Sequence, residues 1–294
     1  MLISLLSLLA LTPVQAPVQA TPATTPPTPL PSDVAEQDWR PIPDNELLVM
    51  TLTGNRTVVI RLAPRFAPEH VANVRTLAKA GWWDASSVYR VQENWVAQWG
   101  DATEQKPLAP GVVKSPAAEY EVAGFTVAQR LSKPDSHSTA SGFSADGWPI
   151  ATDGKAAWLT HCYGMVGVAR GPAPDTGSGS ELFTPIGQSA RRLDRNYTVV
   201  GRIIEGMKYL SALPRSDAAM GVYATEAERS GIVSVRLASD IQAATRPKFE
   251  YRSTDNARFA AFIKLRENPA PPTIGSGGVE LCEVPLATRR VPAK

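Results

Sequence analysis

The chain has 294 residues, with 30 Lys+Arg against 28 Asp+Glu and a formal net charge of +2. That balance gives no electrostatic ground for nucleic acid or an anionic membrane as a partner, and neither is expected. Two cysteines and three histidines are too few for a multi-cysteine zinc site or a disulfide-dense scaffold, while 43% hydrophobic residues suffice for one sizeable core.

Proline is abundant, 26 of 294 residues, and seven of these fall within the first 31. No charged side chain occurs before Asp33. Residues 2–11 form an apolar run, followed by small residues at Val14 and Ala16. This is the pattern of a signal sequence with an A-x-A-like cleavage site, although no Lys or Arg precedes the run. The run is shorter than the ~20 residues that span a bilayer. Residues 1–16 are therefore read as a signal peptide of an exported protein, periplasmic or secreted, with no stable membrane insertion after its removal. Residues 17–43, rich in Pro, Thr and Ala at their start, read as an extended tether.

From Glu46 the pattern changes. Residues 46–53 and 56–63 are two β-rich runs separated by Gly54-Asn55, a tight-hairpin signal. Ala67-Pro68 opens a helix, with proline at the first position where its missing N–H costs nothing. Val71, Val74, Leu77 and Ala78 supply its apolar stripe, and Gly81 closes it. Strand candidates follow at 87–91, 95–99, 165–169, 181–186, 198–204 and 231–238, with a short helix at 205–213. Many short strands with two helices point to a mainly β fold, a closed antiparallel barrel. Residues 102–163 are polar and rich in Ser, Gly and Pro and read as a loop insertion. The extension 241–294 carries a helix-like segment at 254–267 and a strand-like run at 279–285.

Several catalytic motifs fail. Gly142-Phe-Ser-Ala-Asp146 lacks the final glycine of a nucleophile elbow, so a serine hydrolase using Ser144 and His137 has little support. Gly154-Lys155 has no P-loop glycine spacing before it. His161 beside Cys162 supplies too few ligands for a metal, and Arg191, Arg192 and Arg195 read as a solvated basic face.

Two further segments carry more information together. The first runs from Gly81-Trp-Trp-Asp through Tyr89-Arg90 to Trp95-Val96-Ala97-Gln98-Trp99-Gly100-Asp101. The second includes Gly164-Met-Val-Gly-Val-Ala169, Gly179-Ser-Glu181-Leu-Phe183, Leu193-Asp194 and Tyr197-Thr-Val-Val-Gly201. In order and spacing they resemble the cyclophilin family of peptidyl-prolyl cis-trans isomerases, over roughly 48–238. The resemblance implies an eight-stranded barrel domain at 44–240, capped by two helices, and X-Pro isomerisation without a cofactor. It puts Arg90 at the catalytic position, with Gln98 holding the substrate backbone and the arginine. Trp95, Val96, Phe183, Leu193 and Tyr197 match proline-pocket walls, Ala169 matches a backbone-contact position, and Glu181 falls beside the substrate groove.

The departures from that family are also specific. Tyr89 stands for the usual histidine, Trp95-Val96 for Phe-Met, Glu181 for glutamine, and Tyr197 for a frequent histidine. Arg192 stands where many members carry the tryptophan that helps bind cyclosporin, which implies weak sensitivity to that inhibitor. The expected partners are proline-containing polypeptides, the expected state a monomer. The altered wall keeps open a proline-peptide-binding chaperone with negligible turnover. Export also invites a disulfide between Cys162 and Cys282 that pins the extension to the barrel; two free buried cysteines are the other reading.

Overall fold

A computed structural model of the chain describes residues 34–291, so the signal peptide read at 1–16 and most of the tether lie outside the described residues. The first half of the described chain comprises β1 (Trp39–Pro41), β2 (Leu47–Leu52), β3 (Arg56–Leu62), α1 (Pro68–Lys79), β4 (Ser87–Val91) and β5 (Val96–Gly100). Five short strands follow: β6 (Val122–Ala123), β7 (Gln129–Arg130), β8 (Ala140–Phe143), β9 (Pro149–Thr152) and β10 (Ala156–Leu159). Then come β11 (Met165–Val168), β12 (Leu182–Pro185), β13 (Val199–Glu205), α2 (Lys208–Ser211), β14 (Ser230–Leu237), β15 (Phe249–Arg252), α3 (Ala257–Glu267) and β16 (Thr288–Arg290).

Eight of these strands close an antiparallel barrel in the order β11-β12-β5-β4-β14-β2-β3-β13, with β13 pairing back onto β11. The β2–β3 hairpin closes through the three residues Thr53-Gly54-Asn55, where Gly54 (φ 77°) and Asn55 (φ 56°) take the left-handed region those residue types tolerate best. Side chains alternate along both strands. Leu48, Met50, Leu52, Val58, Ile60 and Leu62 fill the barrel core. Leu47 and Val59 point the other way, against Ile42, Ala238 and Phe249. Burial on both faces explains why these runs are almost continuously apolar.

Helix α1 lays Val71, Val74, Leu77 and Ala78 on the barrel core. It ends in a Schellman motif: Gly81 (φ 61°) donates to Ala78 O and Trp82 N–H to Leu77 O. Its first N–H groups have no cap from Ala67; instead Glu119 of the insertion accepts from Glu69 N (2.8 Å) and His70 N (2.9 Å). A carboxylate at that end also complements the helix dipole.

Four expectations need correction. Residues 102–163 are not only loops, because β6-β10-β9-β8-β7 form a five-stranded sheet. Its Trp148, Ile150 and Leu159 pack on Ala63, Phe66, Met165 and Val199, and Phe143 packs on Phe259 of α3, ring centroids 5.3 Å apart. The strand-like run at 279–285 is a 3₁₀ turn, Leu281–Glu283, since Leu281 and Val284, three residues apart, share the cluster with Phe259 and Ile263. The end of the tether is structured, as β1 pairs with β15 in a three-stranded sheet with β16. The helix expected at 205–213 shortens to the four residues of α2, because β13 continues through Glu205 on Val59. Cys162 and Cys282 form a disulfide, with Cα atoms 5.2 Å apart.

Candidate active site

The β4–β5 hairpin contains the polar part of the site. Arg90 pairs with Gln98, but the register shifts between Val88 and Arg90, leaving Tyr89 as the extra residue of a β-bulge. Consecutive strand residues normally face opposite sides, and a bulge re-aims one of them. Tyr89 and Arg90 therefore both reach Gln98. Arg90 Nη1 donates to Gln98 Oε1 (3.0 Å), Nη2 to Gln92 Oε1 (2.7 Å) and Nε to Met220 O (2.6 Å). Burial pulls the guanidinium below its ordinary pKa, yet an arginine stays charged in a protein.

Phe183 on β12 lies opposite Gln98 across the sheet and opposite Gly167 on its other side. A β-carbon at Gly167 would sit 2.4 Å from Phe183 Cζ, so the ring is seated on bare backbone. Tyr197 and Phe183 meet edge-to-face at 5.8 Å, and the ring of the buried His161 stacks parallel to Phe183 at 5.9 Å. Leu193 closes the 3₁₀ turn Arg191–Leu193. A cavity of about 290 Å³ results, lined by Arg90, Trp95, Val96, Gln98, Ala169, Phe183, Leu193 and Tyr197, together with Arg170 and Met220. Eight of the residues singled out in the sequence thus meet in one pocket of a size for a small apolar ring.

Glu181, the ninth, is not on that lining. It faces an adjoining cavity of about 510 Å³ that shares Gln98, Ala169 and Arg170 with the first. Its Oε2 accepts from Tyr89 OH (2.8 Å) and its Oε1 from Asp101 N–H (2.7 Å). Burial first of all, and then the nearby Asp101 and Glu104, push its carboxyl up to about 7 against those two hydrogen bonds. The Tyr89 hydroxyl is likewise pushed well above its ordinary range, by burial and by Glu181.

Sequence reasoning missed Gln92, Met220, Arg170 and Gly167. Gln92 lay inside the first informative segment, two residues from Arg90. Met220 comes from a 130-residue-distant loop, where only its positive φ of 62° marks it as unusual. The two basic residues at the rim stack on aromatic walls: Arg192 lies 4.2 Å over the Trp95 ring and Arg170 4.7 Å over that of Tyr197.

The architecture is similar to that of the cyclophilin AquaCyp293 from Hirschia baltica, with a TM-score of 0.68 at 23% identity, covering 88% of this chain and 95% of that one. A cyclophilin-type peptidyl-prolyl cis-trans isomerase of Cryptosporidium parvum, crystallised in the presence of the dipeptide Ala-Pro, aligns with a TM-score of 0.41 at 14% identity over 65% of this chain and 98% of its own. No curated protein matches. A family model described as cyclophilin type peptidyl-prolyl cis-trans isomerase/CLD matches residues 47–236, from the first residue of β2 to the penultimate residue of β14, and the chain belongs to that family of isomerases.

Proposed function

We propose that this isomerase acts on X-Pro bonds of exported polypeptides, with Arg90 stabilising the twisted amide above an apolar proline pocket. Amide rotation faces a barrier of about 18–20 kcal/mol because resonance must be broken, so X-Pro bonds interconvert slowly. As the bond twists, the prolyl nitrogen regains a localised lone pair and becomes a better hydrogen-bond acceptor. A fixed donor there favours the twisted form over either planar isomer, and only such a difference accelerates the reaction.

The observation that carries this reading is the restraint of Arg90 at the pocket rim. A guanidinium has five N–H donors; Gln92, Gln98 and Met220 engage three, which leaves two for substrate. Phe183, Leu193, Tyr197 and Val96 would desolvate the proline ring and strengthen those bonds. The chemistry needs no nucleophile, metal or cofactor. The working state proposed is a monomer, with proline-containing polypeptides as partners. Two features support an exported context, periplasmic or secreted: the apolar start of the sequence and the Cys162–Cys282 bond, since disulfides persist in oxidising compartments.

The test is exchange NMR on an uncharged X-Pro peptide with the purified protein. Wild type accelerates exchange, while Arg90→Ala loses about 10²-fold or more in kcat/KM, the scale for removing one transition-state donor. Arg90→Lys, which keeps the charge and loses the fork, recovers only part. A wild-type protein that binds the peptide without speeding exchange would support the proline-peptide-binding chaperone instead.

A further inference from the structure

Two departures from the family pattern, Tyr89 on β4 and Glu181 just before β12, bond to each other and, through Gln98, to Arg90. The direction of each bond is fixed by chemistry. Arginine only donates, so Gln98 must present Oε1 to it and turn Nε2 toward Tyr89, where Nε2 donates to the phenol oxygen at 2.5 Å. The single Tyr89 proton is then free to go to Glu181 Oε2. An ionised carboxylate accepts only, and it completes a chain in which every donor points the same way, from Arg90 to Glu181.

The carboxylate has a built seat. Asp101 N–H holds its other oxygen at 2.7 Å. A β-carbon on Gly100 would overlap it at 2.1 Å, so the close approach requires glycine there.

We infer that Tyr89 and Glu181 are positioning residues for Arg90, acting through Gln98, and that the enzyme turns over faster with Glu181 ionised than protonated. The inference rests on the arginine-assisted reading above. When Glu181 takes a proton on Oε2, two hydroxyl protons meet between Glu181 and Tyr89. Tyr89 must accept from Glu181 and turn its own proton toward Gln98, whose amide must flip to accept it. The flipped amide presents –NH₂ to Arg90, and the guanidinium loses one of its three restraints.

Burial brings the titration of this carboxyl close to neutrality, to about 7, so the change falls inside an accessible pH range. The other charged groups around it are Asp101, Glu104, Lys106 and Lys114 from the segment after β5, and Arg170 and Asp175 from the segment between β11 and β12. The two carboxylates nearest it, Asp101 and Glu104, raise its pKa further.

The experiment is the pH dependence of kcat/KM for an uncharged X-Pro peptide, measured by exchange NMR so that no coupling protease limits the range. Wild type rises severalfold as pH increases through about 7. Tyr89→Phe keeps the ring and Glu181, loses about threefold to tenfold at high pH, the scale of one hydrogen bond's net contribution, and has a flat profile. Glu181→Gln also has a flat profile; if it fails to fold, Tyr89→Phe alone decides. A purely structural role would lower the rate without flattening the profile. Wild-type turnover that ignores pH, or a Tyr89→Phe profile that keeps the wild-type limb, overturns this inference while leaving the arginine reading intact. Absence of turnover in wild type overturns both.

Discussion

Tyr89, Arg90, Gln92 and Gln98, the polar edge of the pocket, lie within one ten-residue stretch of hairpin. The apolar wall opposite is assembled from afar. Phe183 is backed by His161, and Leu193 is flanked by Arg191 and Asp194, which are buried together. Asp194 accepts from His161 N (2.9 Å), His161 Nδ1 (3.1 Å) and Arg191 Nε (2.6 Å), and Arg191 Nη1 reaches Asp135 of the insertion at 2.6 Å. One edge is thus set by local strand geometry and hydrogen-bond direction. The other depends on a buried ion network that ties the insertion to the barrel. Changes at the polar edge should alter turnover, and changes behind the wall should alter stability and substrate affinity.

The largest effect that breaks this division is Asp194→Ala. It leaves Arg191 with one carboxylate and two buried His161 nitrogens without their acceptor, a kind of loss that costs about 3–5 kcal/mol. Urea unfolding followed by tryptophan fluorescence should show a lower midpoint of that order. A shift below about 1 kcal/mol, the level of an exposed ion pair, would mean the network does not hold the wall.

The wall alone is probed by Gly167→Ala. The new methyl meets the Phe183 ring, and overpacking of this kind costs about 1–3 kcal/mol. Phe183 must move into the pocket, so KM rises severalfold while kcat changes little. A fall in kcat with KM unchanged would contradict the separation of wall from edge.

The barrel was legible because its strands are β-rich apolar runs set off by turn residues: β2, β3, β4, β13 and β14 fall within one or two residues of the runs read in the sequence. The insertion sheet was not, since its strands have two to four residues and include Ala140-Ser-Gly-Phe143 and Pro149-Ile-Ala-Thr152. Such segments gain their burial from α3 and the barrel, partners more than a hundred residues away for Phe143 on Phe259. The pocket residues were found through their spacing. The Tyr89–Glu181 bond was not, because it needs the bulge at Tyr89, which leaves no mark in a pattern of residue types. Glu181 was expected beside the substrate groove, and what its residue type did not reveal is that its carboxylate bonds to Tyr89 and Asp101.

The smallest expected effect concerns the rim. Arg192 covers the Trp95 ring at the position where the resemblance expects the tryptophan that helps bind cyclosporin. Inhibition by cyclosporin should therefore be weak, and Arg192→Trp should strengthen it by about tenfold, the gain for roughly 1.4 kcal/mol of added contact. Isothermal titration with both proteins measures this, and equal affinities would show that the rim arginine is neutral toward the inhibitor.

The bond between Cys162 and Cys282 joins positions 120 residues apart. It turns strands β11 to β15 and helix α3 into a covalent ring, with β1 to β10 as one arm and the last residues, including β16, as the other. The exposed stretch at 270–276 lies within that ring. A single protease cut there opens the ring without releasing a fragment, so the pocket, the insertion and the extension stay one molecule until the sulfurs are reduced.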